Sequence, residues 1–284
     1  METKLYKFSG AGNDFVVIDG REGDVSSFRE VARIEALCKE FKTDGLMILG
    51  SGDAEVDFTM EFYNPDGSGG MMCGNGGRCI VAFADYLGIR PASGDVFLFR
   101  APDGLHTGEI LERPEDGLWE VRIKMIDVHG ITPMLGGLFL NTGTRHFVKF
   151  VDDVEQVDID TEGKALRWDP AFAPVGTNVN FVHVAPDGLH VRTFEKGVEG
   201  ETLACGTGLT ASAIAAYQIS RLRPAGSARN DKTDVISTKA EGRVEKSYRL
   251  RARQDWLSVN FTPGADEKFT DVYLTGPARL VKII

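Results

Sequence analysis

The chain has 284 residues, 42% of them hydrophobic, enough for a large core and for two domains. Its formal net charge of −10 repels phosphate backbones, so nucleic-acid binding would need a local basic stripe. Only residues 221–232 and 242–253 approach one, and both read as solvated faces, so no nucleic-acid partner is expected. No run of about 18 apolar residues occurs, and the N-terminal stretch lacks the apolar core of a signal peptide. No membrane span is therefore expected, and the cytoplasm is the expected compartment.

In chain order, residues 4–10, 14–19, 46–50 and 56–64 are rich in Val, Ile and Phe and bounded by Gly, Asp and Asn, the pattern of strands. Residues 28–42 spell an amphipathic helix that carries Cys38. "MMCGNGGRC" at 71–79 sets Cys73 before a glycine-rich turn; an apolar helix follows over 76–88, carries Cys79 and stops at Gly88 and Pro91. Residues 123–133 mark a seam. "LACGTGLTAS" at 203–212 then sets Cys205 before a second Gly-x-Gly, and residues 208–222 are again apolar on most sides. A helix without a broad polar face is buried nearly all round. Residues 271–284 read as a closing strand that returns to the first half.

The spacing hides a repeat. Cys205 follows Cys73 by 132 positions, and Phe147 in "TRHFVKFV" follows Phe15 in "GNDFVVID" by the same 132. Phe194 in "VRTFEKG" follows Tyr63 in "EFYNPDG" by 131, and "GTNVNFV" echoes "TDGLMIL" at nearly the same offset. Recurrence in one order at so long a period points to a duplicated domain rather than a solenoid. The expected architecture is α/β (α+β). Two pseudo-symmetric domains each form a mostly antiparallel sheet or barrel around a central apolar helix, with the active site in the cleft between them. The expected boundaries are 1–127 plus 273–284 for the half with Cys73, and 128–272 for the half with Cys205.

No two cysteines form a Cys-x-x-Cys pair and the five histidines are scattered, so no metal site is expected. Cys38 and Cys79 are expected in the core. The other two thiols stand where helices begin. The first N–H groups of a helix lack intrahelical partners and carry partial positive charge. Glycines let a carboxylate approach them, and the same field lowers a thiol pKa that starts at about 8.5. Each half thus offers an anion cradle and an acid–base group. Two such groups on opposite sides of an amino acid's α-carbon can take its proton from one face and return one to the other. The N–H groups then stabilise the charge that spreads into the carboxylate. The pattern predicts a cofactor-independent two-base racemase or epimerase acting on a small-molecule amino-acid substrate. "GTGLTA" at 206–211 also fits a loose dinucleotide fingerprint, but the expected strand–turn–helix with a later ribose-binding acid is poorly placed.

With "FSGAGNDFVVID", "YNPDGSGGMMCGNGGRC", "GTNVNFV" and "VRTFEKGVEGETLACGTG" in this order, the chain resembles the diaminopimelate epimerase family over almost its whole length. The resemblance implies interconversion of LL- and meso-2,6-diaminopimelate, a step toward lysine and peptidoglycan, without a cofactor. It implies Cys73 and Cys205 as the acid–base pair, and Gly74, Asn75, Gly206 and Thr207 at the helix mouths that hold the reacting carboxylate. It further implies Asn13, Asn64 and Asn178 as positioning groups, Glu195 near the substrate's amino groups, and His146 beside the site.

Three positions depart from the family pattern. Lys196 stands where an arginine is usual, and Thr144-Arg145 precede His146 where Asn-Pro is common. Lysine keeps the charge but loses the planar fork that grips a carboxylate twice; Thr144 keeps one hydroxyl and Arg145 adds a charge. These departures concern the substrate's distal end. Two alternatives therefore stand beside the first reading: an epimerase or racemase of a different amino acid, and a non-catalytic amino-acid-binding or redox-sensing homologue. Proline-racemase-like enzymes put a histidine where Asn75 stands and Ser-Pro before the second cysteine, while phenazine-pathway isomerases lack the thiol pair. A homodimer is compatible with the reading.

Overall fold

The structure, a computed structural model, describes residues 3–222, 236–240 and 243–284. Apart from Arg221 and Leu222, the basic run at 221–232 lies outside these residues, as does Gly242 of the second run. The chain forms two compact units, Met1–Lys124 with Thr275–Ile284 and Met125–Leu274.

The first unit contains strands β1 (Leu5–Gly10), β2 (Asn13–Asp19), β3 (Gly45–Ser51), β4 (Phe58–Tyr63), β5 (Val96–Ala101), β6 (Gly104–Glu115) and β7 (Leu118–Lys124). Its helices are α1 (Val31–Phe41) and α2 (Gly74–Tyr86). Neighbouring strands pair in sequence order, antiparallel except for the parallel pairs β2–β3 and β4–β5. The strand Lys268–Ile283 then pairs with β7 through Gly276–Arg279 and with β1 through Arg279–Ile283, closing a barrel of eight strands.

Helix α2 packs against β1, β2, β3, β6 and β7. Its residues Cys79, Ile80, Val81, Ala82, Phe83 and Ala84 are all fully buried, which is why the segment has no polar face. Each large apolar side chain there stabilises the unit by about 1.5–3 kcal/mol. Gly10 ends β1 because a Cβ would stand 2.7 Å from the Asn75 carbonyl oxygen and 2.9 Å from Cys79 Sγ. Helix α1 lays Ile34, Leu37 and Cys38 on Val16, Ile18 and Ile48. With both faces covered, β2 and β3 read as continuous apolar runs instead of alternating ones. The helix expected from residue 28 begins only at Val31, because Glu30 is extended (φ −74°, ψ 129°) and sets apart a 3₁₀ turn at Ser26–Arg29.

The second unit runs β8 (Val128–His129), β9 (Thr132–Met134), β10 (Gly137–Asn141), β11 (Arg145–Phe150), the short α3 (Lys164–Arg167), β12 (Asn178–Ala185), β13 (Gly188–Glu195) and β14 (Gly200–Thr202). It continues through α4 (Gly206–Leu222), β15 (Ile236–Ala240), β16 (Arg243–Arg251) and β17 (Trp256–Pro263) into β18 (Lys268–Ile283). The pairing repeats that of the first unit: β10–β11 antiparallel, β11–β12 parallel, β12–β13 antiparallel, β13–β16 parallel, β16–β17 antiparallel. Phe15 pairs with Gly45 and Phe147 with Val179, so an offset of 132 on one strand becomes 134 on the next. The connection between β11 and β12 (151–177) is two residues longer than that between β2 and β3 (20–44).

That longer connection folds Val154, Ile159 and Phe172 onto Phe147, Val179 and Phe194, the place α1 takes in the first unit. Helix α4 packs against β10 to β13, β16 and β17 with Ala211, Ala213, Ile214 and Ala215 fully buried. No helix among the described residues is long and apolar enough to cross a membrane.

Candidate active site

In the first unit Cys73 is the N-cap of α2, in extended conformation (φ −100°, ψ 148°), and the Gly76 N–H donates to its Sγ at 3.2 Å. A donor at that place favours a negatively charged sulfur. Asn75 is buried one step into the helix, and its Nδ2 donates to Asn13 Oδ1. Asn13 owes its position to the two-residue turn before it, where Ala11 (φ 56°) and Gly12 (φ 88°) both take the left-handed angles of a tight hairpin. Behind Asn75 lies Arg78, fully buried, whose Nη2 donates to Asn75 Oδ1 at 2.9 Å and Nη1 to the Gly74 carbonyl at 3.2 Å. A guanidinium only donates, so the Asn75 amide is fixed with its NH2 toward Asn13. Asn64 directly follows β4, and its Nδ2 donates to Ser68 Oγ at 3.0 Å within its own turn.

In the second unit Cys205 is buried immediately before α4, with its Sγ 3.5 Å from Thr207 Oγ1. Glu195, on the end of β13, reaches the same thiol and accepts from Thr202 Oγ1 at 2.9 Å. Burial raises the Glu195 carboxyl above the usual range, against the hydrogen bonds from Thr202 and Cys205. His146 is fully buried; desolvation pulls its pKa down to about 3, so the imidazole is neutral at working pH. Its Nε2 lies 2.9 Å from both Thr144 Oγ1 and Thr207 Oγ1. Asn178 donates from Nδ2 to the Arg145 carbonyl at 2.9 Å and accepts the Lys196 N–H on Oδ1 at 2.8 Å. Gly208 carries no side chain because a Cβ there would overlap Asn180 Oδ1, which lets the first turn of α4 seat on β12.

The three departures resolve differently. The Lys196 side chain is exposed. Arg145 stacks its guanidinium over Phe139 at 5.2 Å and donates to the Phe172 carbonyl. Thr144 is tied to His146, Asn178 and Thr207. Sequence reasoning missed Arg78, Thr142, which donates to the Thr207 carbonyl at 2.8 Å, and Asn180. The signal for Asn180 was present: two asparagines at alternate positions of an apolar strand share one face. Cys38 and Cys79 are buried in the core, and burial raises both thiols.

The model of the diaminopimelate epimerase family matches residues 5–104 and 138–248. The chain belongs to the diaminopimelate epimerase family. It is thereby an isomerase. The diaminopimelate epimerase of Flavobacterium psychrophilum is 36% identical over 282 residues, covering 98% of each chain. That of Aquifex aeolicus is 41% identical over 238 residues, covering 75% of this chain and 81% of its own. Among solved structures, a phenazine biosynthesis protein of the PhzF family from Bacillus anthracis superposes with a TM-score of 0.68 at 12% identity, covering 100% of this chain and 99% of that one. A probable proline racemase from Agrobacterium radiobacter gives 0.60 at 12% identity, covering 100% and 92%. At such identities the two structures establish the family's fold and nothing finer.

Proposed function

We propose that this chain interconverts LL- and meso-2,6-diaminopimelate, with Cys73 and Cys205 as its acid–base pair. The observation that carries the reading is the recurrence of one device in both units of a duplicated fold: a thiol set at the mouth of a buried, glycine-opened helix. The N–H groups of Gly74 and Asn75, and of Gly206 and Thr207, are the donors for the reacting carboxylate. One thiolate takes the α-proton and becomes a thiol. The electron pair left on carbon spreads into the carboxylate, where those donors stabilise it. The second thiol gives its proton to the opposite face and is left as thiolate, so the two exchange roles each turnover. Glu195, beside Cys205 and made more basic by burial, receives that thiol's proton or returns it. Asn13, Asn64 and Asn178 orient the charged ends of the substrate: the first two with amide N–H and oxygen, and Asn178, whose N–H groups are held by the Arg145 carbonyl and Thr144, through the remaining lone pair of Oδ1. No step calls for a cofactor, and the cytoplasm, where thiols stay reduced, suits the chemistry.

A second reading has its own observation. With Lys196 exposed and the Arg145 guanidinium committed to Phe139, no arginine fork faces a distal carboxylate from these positions, which favours a different amino acid. Reduced protein is incubated with LL-diaminopimelate in heavy water, and α-deuteration and meso product are followed by NMR. Exchange with meso product supports the first reading. Exchange only with another member of an amino-acid panel moves the substrate, and silence throughout from folded, reduced protein refutes the two-thiol chemistry.

A further inference from the structure

The polar groups around His146 are oriented by backbone atoms whose own roles are unambiguous. Asn180 Nδ2 lies 3.2 Å from the Phe147 carbonyl, which can only accept, so that end of the amide is the NH2. Its Oδ1 accepts the Thr193 hydroxyl at 3.0 Å. The same NH2 stands 3.0 Å from His146 Nδ1, which is therefore the acceptor. A neutral imidazole that accepts at Nδ1 carries its proton on Nε2. Burial keeps the ring neutral.

Asn178, two residues earlier on β12, is fixed in the same manner, by the Lys196 N–H on Oδ1 and the Arg145 carbonyl on Nδ2. Its Nδ2 also donates to Thr144 Oγ1 at 3.3 Å. Thr144 thus receives from Asn178 and shares the His146 Nε2–H, which directs its own proton to Thr207 Oγ1 at 3.2 Å. Thr207 receives from Thr144 and from His146, and the remaining neighbour for its O–H is the sulfur of Cys205, 3.5 Å away. Every donor in the cluster points the same way.

We propose that Asn180 is a positioning residue: by holding His146 as the Nε2–H tautomer it makes the chain run one way, from Asn180 through His146 and Thr207, so that the Thr207 O–H is delivered to Cys205 and stabilises its thiolate. The significance of this rests on Cys205 serving as an acid–base group, but neither the tautomer nor the thiolate needs turnover to be observed. A carboxylate at 180 has no N–H to offer. It draws the ring proton to Nδ1, leaves Nε2 bare, and turns Thr207 back toward the ring.

The test combines two readouts on Asn180→Asp and Thr207→Val. Ring nitrogen NMR of 15N-histidine-labelled protein, with His146 assigned by its loss in His146→Gln, reports the tautomer. Iodoacetamide labelling at neutral pH, resolved by peptide mass spectrometry, reports the rate at Cys205 against Cys73 in the same molecule. The parent should show Nε2–H. Asn180→Asp should show Nδ1–H, with the Cys205/Cys73 rate ratio down about tenfold, the weight of one hydrogen bond to a charged group. Thr207→Val should lower the ratio equally while His146 stays Nε2–H, and it decides the matter if the aspartate variant does not fold. An Nδ1–H parent, or an unchanged ratio in Thr207→Val, overturns the proposal. Failure of the parent to exchange α-protons in heavy water would instead strike the functional reading and leave these two results standing.

Discussion

Replacing Gly208 with alanine tests how closely the first turn of α4 is fitted to the strand beneath it. The new Cβ would overlap Asn180 Oδ1 and stand 3.3 Å from His146 Cε1. Neither neighbour can retreat, because Asn180 and His146 are fully buried and Asn180 is held by Thr193, Phe147 and His146. Overpacking of this kind costs about 1–3 kcal/mol. Displacing Asn180 also breaks buried hydrogen bonds, about 1–3 kcal/mol more, while the better helix propensity of alanine returns about 1 kcal/mol. The expected net loss is about 3 kcal/mol. It is read as a fall in the urea midpoint followed by tryptophan fluorescence, beside two controls. Gly200 meets nothing within 4 Å, so Gly200→Ala should stay within about 0.5 kcal/mol of the parent. Gly88 also meets nothing but has φ 76°, so Gly88→Ala should show a backbone penalty alone, about 1 kcal/mol. If Gly208→Ala unfolds with Gly200→Ala, the close approach of α4 to Asn180 is wrong.

Serine at either Cys73 or Cys205 should slow α-proton exchange by about 10²–10⁴-fold, and two single variants as active as the parent would end the two-base reading. Stability should fall on acidification because of His146. Its folded pKa of about 3 lies below the ordinary 6.5, so between those values the unfolded chain binds a proton that the folded one refuses. The contribution is whole above pH 6.5 and has fallen by about 2 kcal/mol at pH 5, so His146→Asn should show a flatter urea midpoint between pH 7 and 5 than the parent. Asp85 accepts from Arg113 at 2.6 Å, Arg90 at 2.7 Å and Trp119 Nε1 at 2.8 Å. Asp85→Ala leaves the buried indole N–H unpaired, an expected loss of about 2–3 kcal/mol in the same denaturation assay.

The duplication was legible because it is written in the spacing of aromatics and cysteines: the aromatics fall on strands that pair in the same order in both units, and the cysteines stand directly before the two buried helices. Helix α2 was legible because burial on all sides removes the polar face that most helices keep. The start of α1 was not, since nothing in "SSFREVAR" marks Glu30 as the extended residue between two helical turns. The buried polar partners were harder still. Arg78 looks like a surface arginine until Asn75 and the Gly74 carbonyl are seen to surround it. Arg145 looked like a free charge beside the site, and only the packing of Phe139 and Phe172 shows where its guanidinium goes. Which donor meets which acceptor is decided by strand register, and register is a tertiary property.

The closing strand of the first barrel has a consequence for how the protein is made. β1 to β7 are complete at Lys124, yet the segment that joins β7 to β1 begins at Thr275. A ribosome adding about 5–20 residues per second needs roughly 8–30 s to cover that interval. Throughout it, the nascent first half carries two unpaired strand edges on either side of an apolar helix, the kind of surface that recruits other chains. The second half is contiguous and meets no such delay. Synthesis order and closure order are therefore opposed here: the half begun first is the half finished last, and its yield in the cell depends on what shields those edges during the wait.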